Sequence, residues 1–184
     1  MTPRSLTTLE YALLGLVTQS PQSGYDLRKT FETTAMGSFS GSPGAIYPAL
    51  RRLEKRELIQ GEVDATTALR PRMVFRPTKA GREALEAWLV QSIDRGDVER
   101  RVDELMLRFA LHSVLGRSAP THRFLESFLK EVGDYLTELN RQQRDVPART
   151  PVQSRLALAA GIEQYRAFAR WARKAVKAFE EETP

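Results

Sequence analysis

The sequence predicts a mainly α-helical chain in which one antiparallel hairpin interrupts the helices. Three observations carry that expectation. Apolar residues recur at helical spacing over most of the 184 positions. Two short runs, 58–63 and 72–76, switch to the alternation of strands. Cap residues, Thr7, Ser23, Ser42, Thr78 and Thr150, stand just ahead of helical runs.

The first helix opens at a capping box, Thr7 with Glu10 three residues on, and its Leu9, Leu13, Leu14, Leu16 and Val17 predict a largely buried rod. Pro21 ends it, because a residue before proline avoids helical geometry. Ser23 and Asp26 form a second capping box, and the helix they open carries Tyr25, Leu27 and Phe31 to about Thr34. A loop punctuated by Gly37, Gly41 and Gly44 follows. Ser42 then caps a third helix with Pro43 at its first position, where a missing N–H costs nothing. Ile46, Leu50, Leu53 and Leu58 make one apolar stripe, while Tyr47, Arg51, Arg52, Lys55 and Arg56 fall off it. The strand runs come next, joined by a polar loop carrying Arg70 and running into Arg72, and Thr78 caps a helix through Leu85, Trp88 and Leu89.

Beyond Ser92 the character changes at a polar turn, Asp94-Arg95-Gly96-Asp97. Helices are expected over 98–115, over 121–143 and, capped by Thr150, from there to about Glu182. The last would be roughly 46 Å long at ~1.5 Å per residue, too long for a compact domain of this size. Its stripe, Leu158, Ile162, Tyr165, Ala169, Val176 and Phe179, is therefore expected to meet a second subunit, the alternative being a three-helix bundle folded on itself. The division expected is 1–92 and 93–184, the second part an all-α dimerisation region.

The order helix, helix, helix, strand, strand, helix is that of a winged helix-turn-helix. Charge agrees: Arg51 to Arg82 holds nine basic and four acidic residues, the whole of the chain's formal excess of +5. A positive region confined to one helix and the following hairpin is the footprint of a face for double-stranded DNA. A winged helix that binds only protein is the alternative. Enzymatic chemistry is not expected. There is no cysteine, His112 and His122 lack metal-ligand spacing, and the glycines form no phosphate-binding fingerprint. No metal or cofactor is expected. The run from Tyr11 to Val17 is too short to span a bilayer, so no membrane role and a cytoplasmic location are expected.

The chain resembles the PadR-like family of bacterial transcriptional regulators. The likeness lies in Leu13-Leu14-Gly15-Leu16, Ser23-Gly24-Tyr25-Asp26-Leu27, the run Gly44 to Glu54, Thr78-Lys79-Ala80-Gly81 and Ala84 to Leu89. The second half matches only in kind, as a helical region of the virulence-activator type. The resemblance implies a homodimer whose two winged helices read a palindromic operator, usually to repress. It implies that Tyr47, Pro48, Arg51 and Arg52 face DNA from the third helix, with Ser42 and Gly44 at its entry. Ser23, Gly24 and Tyr25 are implied at the DNA backbone, and the hairpin is implied as the wing, with Arg70 and Arg72 its candidate phosphate or minor-groove contacts. Lys29 and Lys55, as basic groups, are expected together with those two arginines to neutralise phosphate. Some members respond to small aromatic compounds. Trp88, Trp171, Phe109, Phe124, Phe128 and Tyr165 are thus either plain core or the lining for a small aromatic effector.

Three departures stand out. Glu57 replaces a glycine that would close the third helix in a left-handed conformation, so that helix is expected to end by another route. Phe75 replaces tyrosine. Pro77, which cannot donate to a ladder, should mark a strand end or an edge.

Overall fold

The computed structural model describes residues 5–40, 42–64 and 72–182. They form two compact units: the chain up to Leu89 together with Ala110–Leu115, and Val90–Phe109 with Gly116 onward. The first unit holds α1 (Thr8–Gln19), β1 (Gln22–Ser23), α2 (Gly24–Thr33), α3 (Ile46–Lys55), β2 (Ile59–Asp64), β3 (Arg72–Pro77) and α4 (Lys79–Leu89). The second holds α5 (Arg95–Arg100), most of α6 (Val102–Leu111), α7 (Ala119–Arg144) and α8 (Val152–Glu182).

In the first unit α1 is the hub. Residues 12–17 are all buried, because α3, α4 and β3 surround it. The Thr7–Glu10 capping box forms, as does that of Ser23 with Asp26 at α2. Leu111 returns to this unit and lies so close to α1 that a Cβ on Gly15 would stand 2.5 Å from its Cδ1. The sheet has the order β1-β3-β2, both pairings antiparallel. The two-residue β1 is not expected from the sequence, since two residues carry no periodicity. Pro77 is the last residue of β3, beyond the reach of β1, where no second neighbour asks for its missing N–H.

The end of α3 overturns one expectation. Glu57 takes the left-handed conformation, φ 57°. The Leu58 N–H donates to Leu53 O at 3.0 Å and the Glu57 N–H to Glu54 O at 2.8 Å, the paired bonds of a Schellman ending. The helix thus stops by the glycine route without the glycine. Thr78 secures the turn: its hydroxyl donates to Glu57 O at 2.7 Å, accepts from the Gly81 N–H at 3.0 Å and so caps α4.

In the second unit α7 and α8 form the main packed pair, joined by residues 145–151. Phe124, Phe128 and Val132 of α7 meet Ile162, Tyr165, Ala169 and Ala172 of α8, and the Tyr165 hydroxyl donates to Val98 O at 2.9 Å. Two boundaries differ from the sequence expectation. Asp94 and Asp97, read as a turn, form a capping box that starts α5, and Arg101 (φ −136°) separates α5 from α6 where one helix was expected. At α8 the N–H groups of Ser154 and Arg155 bond to Pro151 O, so the helix enters from Pro151 rather than Thr150.

Candidate nucleic-acid interface

A 3-10 turn over Pro43–Ala45 leads into α3. Ser42 precedes it but makes no side-chain capping bond, which corrects the expected cap. Ile46, Ala49, Leu50 and Leu53 are buried, and at ~100° per residue the ridge opposite them is Pro48, Arg51 and Lys55. All three are exposed. Tyr47 and Arg52 lie on the two flanks of that ridge and are held differently.

Tyr47 lies over the start of α2. A Cβ on Gly24 would stand 2.8 Å from its Cε1, so only glycine there lets the ring settle. Gly24 and Ser23 are buried, and the Ser23 hydroxyl is engaged with Asp26, to whose Oδ2 it donates at 2.7 Å. These two residues build the helix start, and Gly24 seats Tyr47. Tyr25 and Lys29, one turn apart on α2, are exposed. Gly44 is exposed with ample room for a Cβ.

Arg52 reaches back to α1. Its Nε lies 2.7 Å from Glu10 Oε1, while its side chain stays 53% exposed and Glu10 is only 3% exposed. The other oxygen of Glu10 accepts from the Thr7 N–H at 2.8 Å. Burial pushes the Glu10 carboxyl up, but the Thr7 bond together with the hydrogen bond and charge of Arg52 outweighs it and holds the group below its ordinary value.

The hairpin of β2 and β3 supplies the third side. Tyr25, Tyr47, Met73 and Phe75 line a cleft of about 570 Å³ at the first turn of α2, with Arg72 on its border. Across the sheet a polar cleft of about 310 Å³ is lined by Asp26, Glu62, Asp64, Arg72 and Arg76, and Arg76 Nε pairs with Glu62 Oε2 at 3.1 Å. Arg72 borders both clefts and stands opposite Asp64 in the ladder. Arg70 lies outside the described residues. The first unit therefore presents Arg51, Lys55, Tyr25, Lys29 and Arg72 from three elements of a winged helix.

Residues 13–87 match the model of the Transcriptional regulator PadR-like family. The matched stretch runs from α1 through most of α4. The chain is similar to the Negative transcriptional regulator PadR of Bacillus subtilis (strain 168), 26% identical over 125 residues that make up 68% of either protein. Among solved structures it is similar to Bacillus subtilis PadR in complex with operator DNA (23% identity, 93% of this chain and 98% of that one, TM-score 0.42). It is likewise similar to Bacillus subtilis PadR in complex with p-coumaric acid (21%, 98% and 100%, TM-score 0.42). The family is one of transcriptional regulators, not enzymes.

Three of the six residues expected at a subunit interface are taken up inside their own unit. Ile162, Tyr165 and Ala169 are buried in the core of their own unit, because α7 has 26 residues and is itself long enough to line most of α8. Leu158, Val176 and Phe179 are partly covered by the same core, whereas Val152 and Leu156 at the start of α8 are exposed. Of the aromatic set, Trp88 belongs to the first unit and stacks on Tyr11 at 4.2 Å. In the second unit Trp171 sits edge-on to Phe109 at 4.9 Å and to Phe128 at 5.8 Å. His112 Nε2 lies 3.1 Å from Leu89 O, and His122 is edge-on to Phe179. Among the described residues no His, Cys, Asp or Glu cluster could hold a metal ion, and no helix is long and apolar enough to cross a membrane.

Sequence reasoning missed Glu10 as part of this site. It counted the residue as half of a capping box. The available signal was that glutamine serves that box as well, so a charge at the core called for a second reason.

Proposed function

We propose that this chain is a cytoplasmic repressor that binds double-stranded DNA as a homodimer on a palindromic operator, with α3 in the major groove and the β2–β3 wing beside it. The observation that carries the reading is the outward ridge of α3. It offers Pro48, Arg51 and Lys55, and no acidic residue, opposite a fully apolar buried face. Arg51 on that ridge is the base reader, since a guanidinium meets guanine O6 and N7 with two parallel bonds worth ~1–3 kcal/mol of discrimination. Lys29, Lys55 and Arg72 neutralise phosphate. Two-fold pairing would set the recognition helices about 34 Å apart, in successive major grooves.

Repression is supported by the relative's description as a negative regulator. Homodimer formation is supported by the apolar residues that α8 leaves open, Val152 and Leu156, with the partly covered Leu158, Val176 and Phe179 continuing along the helix. An aromatic effector is supported by the partly buried rings of Phe109, Trp171 and Phe179. Electrophoretic mobility shift with the DNA upstream of the chain's own reading frame tests the central reading. Specific, salt-sensitive binding by the wild type, lost in Arg51→Ala with light scattering unchanged, is expected. Salt-insensitive or negligible binding would move the chain to a protein-interaction role.

A further inference from the structure

Resting on the DNA-binding reading, we propose that Glu10 is a positioning residue: it holds Arg52 by Nε so that the remaining guanidinium N–H groups clamp one operator phosphate. The carboxylate has no other reason to be charged. Its Oε2 already satisfies the Thr7 N–H at 2.8 Å, a duty an amide oxygen performs equally well. Among the described residues its second oxygen is used by Arg52 alone, at 2.7 Å, across 42 positions of sequence. A charge buried to this degree persists only when paired.

The pairing leaves Arg52 half in solvent. A guanidinium has five N–H donors in one rigid plane, so fixing Nε fixes the direction of the others. Arg51 differs. It lies on the outward ridge, and no ion pair with it is formed among the described residues. The two neighbouring arginines therefore divide the work by position. The one on the outward ridge reaches base edges, and the one held on the α1 flank reaches the groove wall, where a phosphate accepts two parallel bonds. Such a contact carries no sequence information of its own; it sets the register in which Arg51 reads.

The test uses the full-length chain and a duplex selected by it from a random pool. Each phosphate of that duplex is replaced in turn by a neutral methylphosphonate. Wild type is expected to lose about tenfold (~1.4 kcal/mol) at one position in each half-site. Glu10→Gln and Arg52→Lys should bind the unmodified duplex about tenfold more weakly and lose nothing further at that position, with the melting temperature recorded for each. A merely structural ion pair would lower the melting temperature while leaving the methylphosphonate profile as in wild type, and that result overturns the proposal. Should Glu10→Gln not fold, Arg52→Lys alone decides, because it keeps the charge that pairs Glu10 but not the planar fork. Failure of the wild type to select any duplex would instead remove the DNA-binding reading and this inference with it. Selection without a phosphate coupled to Arg52 removes only the inference.

Discussion

Glu57→Gly should stabilise the winged-helix unit. A side chain in the left-handed region costs roughly 1–2 kcal/mol because Cβ crowds its own carbonyl. Glu57 sits there with φ 57°, held by the Leu58–Leu53 and Glu57–Glu54 bonds and by the Thr78 hydroxyl. Glycine removes that strain but gains about 0.4–1 kcal/mol of freedom in the unfolded chain. The expected net gain is about 0.5–1 kcal/mol. For a unit of this size it corresponds to a rise in Tm of roughly 2–6 °C. The assay is thermal unfolding followed by tryptophan fluorescence in a Trp171→Phe background, so that Trp88, stacked on Tyr11, reports the first unit alone. Glu57→Ala is the control, since it deletes the carboxylate and keeps the Cβ. An equal rise in Glu57→Ala, or no rise in Glu57→Gly, would refute the argument from backbone strain.

Gly81→Ala should be severe, at about 3 kcal/mol, because the new Cβ would stand 1.9 Å from Leu58 O, a backbone atom that cannot step aside. Urea denaturation checks it, and a loss under 1 kcal/mol would show the α4 start to be looser than described. Glu10 predicts an acid-sensitive pair. Its folded pKa lies below its ordinary value, so the stabilisation is complete above the unfolded carboxyl pKa of ~4.3 and disappears as pH falls through the folded one. Glu10→Gln should therefore be less stable than wild type at pH 7, and the gap should narrow as pH falls below ~4.3; a constant gap in urea midpoints would contradict this. Removing the charge of Lys55 should flatten the slope of log affinity against log salt by about 0.9 per subunit, about 1.8 for the dimer, with sequence preference kept. An unchanged slope for Lys55→Ala takes that residue off the phosphate track.

The fold of the first unit was legible because its signals are local. Capping boxes, a proline after the first helix and a switch of period sit within a few residues of the elements they define. What escaped the sequence depends on tertiary contact. Arg51 and Arg52 look equivalent in a string, yet only the placement of α1 against α3 brings Glu10 to Arg52 and leaves Arg51 on the ridge. Nothing local to Gly24 says that Tyr47 will lie over it. Glu57 misled for the converse reason. Propensity argued against the left-handed turn, and the Thr78 hydroxyl from 21 residues away helps to hold it. In the second unit, length was taken as a sign of an external partner, while a neighbouring helix of comparable reach already covers Ile162, Tyr165 and Ala169.

The return of Ala110–Leu115 to the first unit has a practical consequence for building hybrids. The polypeptide crosses between the units three times, after Leu89, after Phe109 and after Leu115. A chimaera spliced near position 92 would take Leu111 away from Gly15 and His112 away from Leu89. The reading head would then carry an open seam along α1. A junction beyond Leu115 keeps the first unit whole but takes Val98 and Leu105 away from α7 and α8, so no single splice leaves both cores intact unless the incoming helices match those residues.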